Sequence, residues 1–187
     1  MNYRPITDLW ILARPKVEYY GAYPSGFLER ARALLGVTLD DAVLHVCSGR
    51  VRNYPFGGLG PHDRTVDIDP ALRPDFVHDC RYSLPPRPDG QHWPAILADP
   101  PYTLEDASQY WAGPDVFPQP AALLALCLTY VRPGGRVGFL HYQWPRPPER
   151  IGRYAVRAVA LVGVITGYGN NLRGYSVFEK LTPSRRR

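Results

Sequence analysis

Short apolar runs alternate with polar turns along most of this chain, a pattern typical of an α/β protein. Seven of the runs have the length and composition of β-strands, and most of them are followed by polar residues or glycine. The seven runs are residues 42–46, 64–67, 75–78, 95–98, 136–141, 156–166 and 175–180. The last two follow each other closely with no helical pattern between them, so we expect them to pair antiparallel.

Two segments have the spacing of amphipathic helices. The first begins at Ser25, which is suited to cap it, runs to about Leu35 and ends at Gly36. The second follows Pro118-Gln119-Pro120 and runs to about Val131, ahead of a Gly-Gly pair. The segment 103–120 is predicted to be a loop. The order of elements predicts an open sheet with helices on its faces.

Polar side chains and glycine turns follow four of the predicted strands, at residues 45–50, 67–70, 79–81 and 99–102. In open α/β sheets, ligands bind in the crevice beyond the carboxyl ends of the strands. The sequence therefore predicts that these four segments line one crevice. No G-x-G-x-x-G pattern opens a helix after the first predicted strand, which disfavours a nicotinamide dinucleotide as the ligand.

The sequence Asp99-Pro100-Pro101-Tyr102 follows the apolar run Ala95-Ile96-Leu97-Ala98. The prolines fix φ and carry no N–H, so this segment forms a rigid bracket. A carboxylate, backbone carbonyls and an aromatic ring together suit a planar amine, since they offer acceptors for its N–H groups and a surface on which it stacks. The simpler alternative is a strand that ends in a Pro-Pro turn.

Composition limits the remaining possibilities. The chain has 187 residues, a formal net charge of +5 and three cysteines. We expect a single domain over residues 1–187, with an N-terminal arm at 1–16 and a basic tail at 182–187. The odd number of widely spaced cysteines argues against a disulfide framework and fits a reducing cytoplasm. We see no secretory signal or membrane span, and the histidines lack metal-ligand spacing, so we expect no membrane association and no metal.

The order of these motifs resembles the class I S-adenosylmethionine-dependent methyltransferases that methylate exocyclic amines of nucleic-acid bases. DPPY is the catalytic motif of that branch. Residues 43–49 resemble its first cofactor motif, 66–70 its acidic second strand, 76–79 its third strand, 131–135 the turn before strand five, and 21–25 the segment that closes over the methionine end of the cofactor. The compact phage-type adenine methylases are similar in showing ADPPYT, an acid pair and a late Leu-His strand end, here residues 98–103, 105–106 and 140–141.

The resemblance implies a Rossmann-like, mostly parallel seven-stranded sheet with an antiparallel last strand and some helices shortened to loops. It implies S-adenosyl-L-methionine as cofactor, with Asp67 on the ribose diol and Asp79 on the adenine amine. The cofactor-binding residues that it implies are Tyr23, Pro24, Cys47, Ser48, Gly49, Asp67, Ile68, Asp79 and Cys80. The catalytic residues are Asp99, Pro100, Pro101 and Tyr102, and a flipped base is expected to stack on Tyr102.

Three features depart from the family pattern. His45 replaces the usual acid of the first motif, Arg50-Val51 replaces its second glycine, and residues 53–62 are rich in Gly and Pro where a helix is usual. No insert is large enough for a target-recognition domain, so specificity is low or is supplied by a second copy or a separate subunit. Adenine N6 in DNA is the first expectation. Cytosine N4 in DNA, an amine of RNA such as guanine N2 or adenine N6, and a non-catalytic nucleic-acid-binding subunit stay as alternatives.

Overall fold

The computed structural model describes residues 4–13, 22–54, 57–110, 118–142, 148–166 and 172–182, with the side chains of 109 and 110 excepted. The strands are β1 (Ile6–Leu12), β2 (Val43–Val46), β3 (Arg64–Asp67), β4 (Phe76–Val77), β5 (Trp93–Ala98), β6 (Val131–His141), β7 (Arg150–Ile151), β8 (Tyr154–Thr166) and β9 (Leu172–Lys180). The helices are α1 (Phe27–Leu35), α2 (Leu104–Tyr110) and α3 (Pro120–Tyr130), with 3₁₀ turns at Val51–Asn53 and Pro70–Leu72.

The strands form one sheet in the order β4-β3-β2-β5-β6-β9-β8-β1, and β7 pairs with β8. Strands β2 to β6 are parallel to their neighbours, whereas β9 lies antiparallel between β6 and β8. The predicted Rossmann-like, mostly parallel sheet with an antiparallel last strand is therefore confirmed. The prediction of seven strands is wrong, because β1 and β7 add two more.

The predicted N-terminal arm contributes β1. This strand pairs in parallel with β8, from Ile6 beside Ala160 to Leu12 beside Thr166. Trp10 and Leu12 are buried against the sheet, which fixes the strand in place. Residues 1–3 and 183–187, including most of the predicted basic tail, lie outside the described residues, as does Gly21 of the 21–25 motif.

Helices α1 and α3 cover opposite faces of the sheet. The apolar side of α1, formed by Phe27, Ala31 and Leu35, packs on one core cluster, which includes Leu97 of β5. Helix α3 packs on a second cluster that includes Ile96, the next residue back along β5. Successive side chains of a strand point to opposite faces, so the fully apolar β5 contributes to both cores.

The helix ends follow the predicted signals with one exception. Gly36 adopts a left-handed conformation with φ of 68° and ends α1, and Pro120 begins α3, both as predicted. The N-cap of α1 is Gly26, with no side-chain hydrogen bond, so the prediction of a Ser25 cap is wrong. The Ser25 N–H donates instead to the carbonyl of Ala13 at 3.2 Å, which ties the helix to the end of β1.

Two connections differ from simple loops and turns. Within the segment predicted to be a loop at 103–120, residues Leu104–Tyr110 form α2, and 111–117 lie outside the described residues.

The Gly-Gly pair after α3 lies at a break in register between β5 and β6. A Cβ on Gly135 would lie 2.6 Å from the Pro94 carbonyl oxygen, so only glycine allows this close approach.

The described residues between β2 and β3, which are 47–54 and 57–63, contain a 3₁₀ turn and no α-helix. A loop thus replaces the helix that is usual there, as predicted. No helix in the described ranges has both the length and the hydropathy needed to cross a bilayer.

Candidate active site at the carboxyl edge of the sheet

A single cleft lies where β2, β3, β4 and β5 end. It encloses about 910 Å³ between its walls, including its open mouth. The lining residues are Ala22, Tyr23, Cys47, Ser48, Gly49, Arg50, Val51, Tyr54, Val66, Asp67, Ile68, Leu72, His78, Asp79, Cys80, Arg81, Asp99, Pro101, Ala107 and Pro118.

Ten of the thirteen predicted site residues line this cleft. They are Tyr23, Cys47, Ser48, Gly49, Asp67, Ile68, Asp79, Cys80, Asp99 and Pro101. Pro24 and Pro100 are buried beside it and do not line it, and Tyr102 lies just behind Asp99. The sheet thus brings the predicted cofactor residues and the DPPY acid to one place.

The turn after β2 is fixed to β3. The Ser48 N–H donates to the Val66 carbonyl at 3.2 Å, and the Gly49 N–H donates to Asp67 Oδ2 at 2.8 Å. Gly49 has a left-handed φ of 51°, and a Cβ built there would meet no atom within 4 Å. The glycine is therefore required by backbone conformation, and the space above it is open for a ligand.

Asp67 is a carboxylate in a largely apolar wall. Burial raises its pKa, and hydrogen bonds from the backbone N–H groups of Gly49 and Asp69 oppose that rise. Each carboxylate oxygen accepts one of these N–H groups, and a carboxylate oxygen has a second lone pair with which it can accept from a ligand. A vicinal diol offers two hydroxyl donors at the matching spacing, so Asp67 fits the ribose role predicted for it.

Asp79 is bound by Arg81. The guanidinium of Arg81 contacts both carboxylate oxygens at 2.7–3.0 Å, and the Arg81 N–H donates to Oδ1 at 3.0 Å. Hydrogen bonding from Arg81 holds the pKa of Asp79 below its ordinary value. An adenine amine bound here would share the carboxylate with Arg81, a partner that the sequence did not predict.

The far end of the cleft is closed by two tyrosines. The Tyr54 hydroxyl donates to the backbone carbonyl of Tyr23. The Tyr23 ring stacks on Phe27 of α1, with ring centroids 4.9 Å apart. Tyr23, which belongs to the segment that the resemblance assigns to the methionine end of the cofactor, is thereby held in the wall of the cleft.

The DPPY acid is a half-buried, hydrogen-bonded carboxyl. The Asp99 N–H donates to the Val46 carbonyl at 3.2 Å, which places the side chain beside the end of β2. The Tyr102 hydroxyl donates to Asp99 Oδ1 at 2.6 Å. Burial raises the pKa of Asp99 to about 6, while Arg173 and the Tyr102 hydrogen bond oppose the rise. Asp99 is thus mostly ionised at neutral pH, and within the described part of the chain no hydrogen bond reaches its Oδ2.

The ring of Tyr102 packs into an aromatic and cationic cluster. Its centroid lies 4.5 Å from that of Tyr142 and 5.3 Å from that of His141, and the Arg173 guanidinium lies 5.3 Å from it. Burial, followed by the charge of Asp99, raises the pKa of Tyr102, so its hydroxyl keeps its proton and donates. A base stacked on Tyr102, as the sequence predicts, would compete with Tyr142 and Arg173 for the ring.

His45 does not take the place of the missing first-motif acid in the cleft. It is buried, and its Nε2 lies 3.0 Å from Asp63 Oδ2. Asp63 also binds Arg32 at 2.8 Å and accepts from the backbone N–H groups of Val43 and Gly60. This buried cluster joins α1, β2 and the start of β3, so the substitution at residue 45 serves the packing beneath the cleft.

Sequence reasoning missed some contacts and lining residues of the cleft. Arg81 lies in the predicted segment 79–81, but its contact with Asp79 was not predicted. Ala107 belongs to α2, which was predicted to be a loop, and Tyr54 reaches the cleft only because the chain turns back after β2. Among the described residues, no three His, Cys, Asp or Glu side chains cluster closely enough to hold a metal ion.

No protein-family model matches this chain, and no curated protein matches its sequence significantly. Among solved structures, TrmN from Thermus thermophilus gives a TM-score of 0.54 at 19% identity, covering 87% of this chain and 50% of TrmN. A Streptococcus thermophilus protein assigned as a hemolysin gives 0.52 at 16% identity, covering 89% and 69%. A Listeria monocytogenes protein assigned to the class I S-adenosylmethionine-dependent methyltransferases gives 0.50 at 13%, covering 85% and 59%.

These similarities, together with the strand order, show that the chain has the fold of the class I S-adenosylmethionine-dependent methyltransferases. The chain spans half the length of TrmN. At these identities, the comparison establishes the architecture alone.

Proposed function

We propose that the protein is an S-adenosylmethionine-dependent methyltransferase that methylates an exocyclic amine of a nucleic-acid base, adenine N6 in DNA. The observation that supports this most is the shared cleft: Asp99 and Pro101 of DPPY open into the same space as Gly49 and Asp67. The cleft therefore offers an acceptor for a diol, an acceptor for an amine and a glycine turn open to a ligand.

The residues of the cleft fit the cofactor at three points. Asp67 offers acceptors for the ribose hydroxyls, the backbone at Gly49 leaves room for close approach, and Asp79 stands beside Cys80 where the adenine amine is expected. The apolar wall formed by Ile68, Val66 and Leu72 suits an adenine ring. When bound, S-adenosylmethionine supplies an electrophilic methyl group on a sulfonium.

Asp99 performs the steps that the protein contributes to the reaction. Its Oδ2 accepts an N–H of the target amine, which directs the nitrogen lone pair and favours a more tetrahedral nitrogen. Tyr102 holds Oδ1, so the carboxylate cannot rotate away. The carbonyl of Pro100 was predicted as a second acceptor, but Pro100 does not line the cleft, so Asp99 is the acceptor that the proposal relies on. A carboxylate with a pKa of about 6 is also suited to receive the proton that the amine loses. Alignment and this polarisation supply the rate enhancement.

A base amine within a duplex cannot reach Asp99, because the carboxylate lies inside the cleft. The target base must therefore be flipped out of the helix or be single-stranded. The formal net charge of +5 favours a polyanionic partner.

The experiment that tests this function compares polymers. Purified protein is incubated with S-adenosylmethionine labelled at the methyl group and with DNA or RNA of matched sequence, and the label retained on each polymer is counted. We expect label on DNA with the wild type and a loss of roughly 100- to 1,000-fold with Asp99→Ala at saturating DNA. Label on RNA alone would identify RNA, and not DNA, as the substrate. Label on neither polymer would reject the proposal.

A second candidate, a non-catalytic nucleic-acid-binding subunit, is favoured by one observation. The acceptor predicted for the adenine amine, Asp79, is already bound by Arg81. A calorimetric titration with S-adenosylhomocysteine separates the two candidates. Saturable one-to-one binding that Asp67→Ala weakens supports the enzyme, whereas no heat of binding supports the non-catalytic subunit.

A further inference from the structure

Two cysteine side chains meet in the wall of the cleft. Cys47 follows the last residue of β2, Cys80 lies three residues beyond β4, and their sulfur atoms are 3.3 Å apart. Both are half-buried and both line the cleft. The third cysteine, Cys127, is fully buried in α3 and belongs to the second core cluster. The chain thus has one thiol pair that small molecules can reach and one isolated thiol that they cannot.

The pair is close to the geometry of a disulfide. A disulfide bond is about 2.05 Å long, so the two sulfur atoms need to approach by roughly 1.2 Å. Cys47 has a left-handed φ of 55°, an uncommon conformation for a residue with a Cβ. The thiol is therefore present at a backbone position that would suit glycine, directly beside the glycine turn.

We propose that Cys47 and Cys80 are an oxidation site: a peroxide converts them to an intramolecular disulfide, and this crosslink lowers the affinity of the cleft for its cofactor. The Cys80 thiolate attacks the peroxide oxygen, giving a sulfenic acid and hydroxide. The Cys47 sulfur then attacks the Cys80 sulfur. The S–S bond forms, the S–O bond of the sulfenic acid breaks, and the leaving hydroxide takes the Cys47 proton and departs as water. In total, two thiols and one hydrogen peroxide give one disulfide and two waters.

The surroundings of the two thiols determine which of them reacts first with the peroxide. The hydrogen bond with Cys80, and then burial, hold the pKa of the Cys47 thiol well above its ordinary value. Cys47 thus keeps its proton while Cys80 reacts, and it is positioned to resolve the sulfenic acid at 3.3 Å.

The crosslink acts on the site because of where its two ends lie. It joins the glycine turn after β2 to the loop after β4, and Asp67 at the end of β3 lies between these segments. The crosslink draws the glycine turn and the loop after β4 together, and this narrows the part of the cleft beside Gly49 and Ile68. By linkage, a cofactor that binds the reduced protein more tightly shifts the thiol–disulfide equilibrium toward the reduced thiols by the same factor. This consequence rests on the proposed function, whereas formation of the disulfide does not.

The disulfide is tested on the full chain without any cofactor. Reduced protein is treated with a small molar excess of hydrogen peroxide, and free thiols are counted under denaturing conditions beside intact and peptide mass spectrometry. We expect the loss of two thiols, a Cys47–Cys80 crosslinked peptide, and full recovery with dithiothreitol. Cys127→Ala should still form the crosslink, and Cys47→Ser and Cys80→Ser should not. Three free thiols after treatment, or a crosslink to Cys127, would overturn the proposal.

The effect on the cleft is tested by calorimetric titration of the oxidised and reduced protein with S-adenosylhomocysteine. We expect the dissociation constant of the oxidised protein to be at least tenfold higher and to return after reduction. Equal affinity in the two states would reject the effect on the cofactor. If the reduced protein does not bind at all, the proposed function fails, while the crosslink result stands by itself.

Discussion

Replacing Asp99 by Asn should stabilise the folded protein while it removes activity. Burial raises the pKa of Asp99 from 3.8 to about 6. A tenfold change in an acid dissociation constant corresponds to about 1.4 kcal/mol, so keeping the charged carboxylate in the cleft costs about 3 kcal/mol above pH 6. Asn has nearly the same shape and carries no charge to desolvate. Its amide oxygen is still able to accept from the Tyr102 hydroxyl.

The direction of the pKa shift determines how the contribution of Asp99 to the stability of the protein changes with pH. The folded state binds the Asp99 proton more tightly than the unfolded state does, so the contribution of Asp99 to stability is complete below pH 3.8 and is lost as the pH rises through 6. The stabilisation by Asp99→Asn should therefore be absent at pH 4 and complete at pH 8.

Urea unfolding of the two proteins at pH 4 and pH 8 measures this difference. We expect a gain of about 1–3 kcal/mol at pH 8, the upper value being the full cost of burial. The control is Asp40→Asn, the same substitution at an exposed residue. An Asp99→Asn gain that is the same at pH 4 and pH 8 would refute the assignment of Asp99 as a desolvated carboxylate.

Three further variants test other parts of the site. Asp67→Ala should raise the dissociation constant of S-adenosylhomocysteine roughly 10- to 150-fold in calorimetry, since hydrogen bonds to a charged group contribute about 1.5–3 kcal/mol, and it should change kcat less. Arg173→Met should move the acid limb of the kcat/KM profile to higher pH, because Arg173 opposes the rise that burial causes in the pKa of Asp99, and Arg173→Lys should largely restore it. Asp63→Ala should reduce the free energy of unfolding by about 3–5 kcal/mol in urea titration, because Arg32 and His45 would then be buried without their acid.

The fold was predictable where the hydrophobic pattern of a segment and its place in the order of elements indicate the same structure. The apolar runs gave β2, β3, β5, β6, β8 and β9 nearly at their observed places, and the absence of a helix between β8 and β9 gave their antiparallel pairing. Strand β1 was missed because it pairs with β8, about 150 residues away, and no local signal reports such a contact. Helix α2 was missed because it is only seven residues long.

Sequence reasoning predicted which strand ends form the site, but it did not predict the side-chain contacts within the site. The rule that ligands bind beyond the carboxyl ends of parallel strands correctly brought Gly49, Asp67, Asp79 and Asp99 to one cleft. Contacts between side chains of different loops were not predictable. The pairing of Arg81 with Asp79 and that of Tyr102 with Asp99 depend on rotamers and loop paths that the order of residues does not determine.

The most direct test of the central claim is the identity of the methylated nucleoside. DNA is incubated with the protein and S-adenosylmethionine carrying a deuterated methyl group, digested to nucleosides and analysed by mass spectrometry. The account predicts deuterated N6-methyldeoxyadenosine with the wild type and none above background with Asp99→Ala. A deuterated methyl group on a ring carbon or on no nucleoside, or an equal yield from Asp99→Ala, would contradict it.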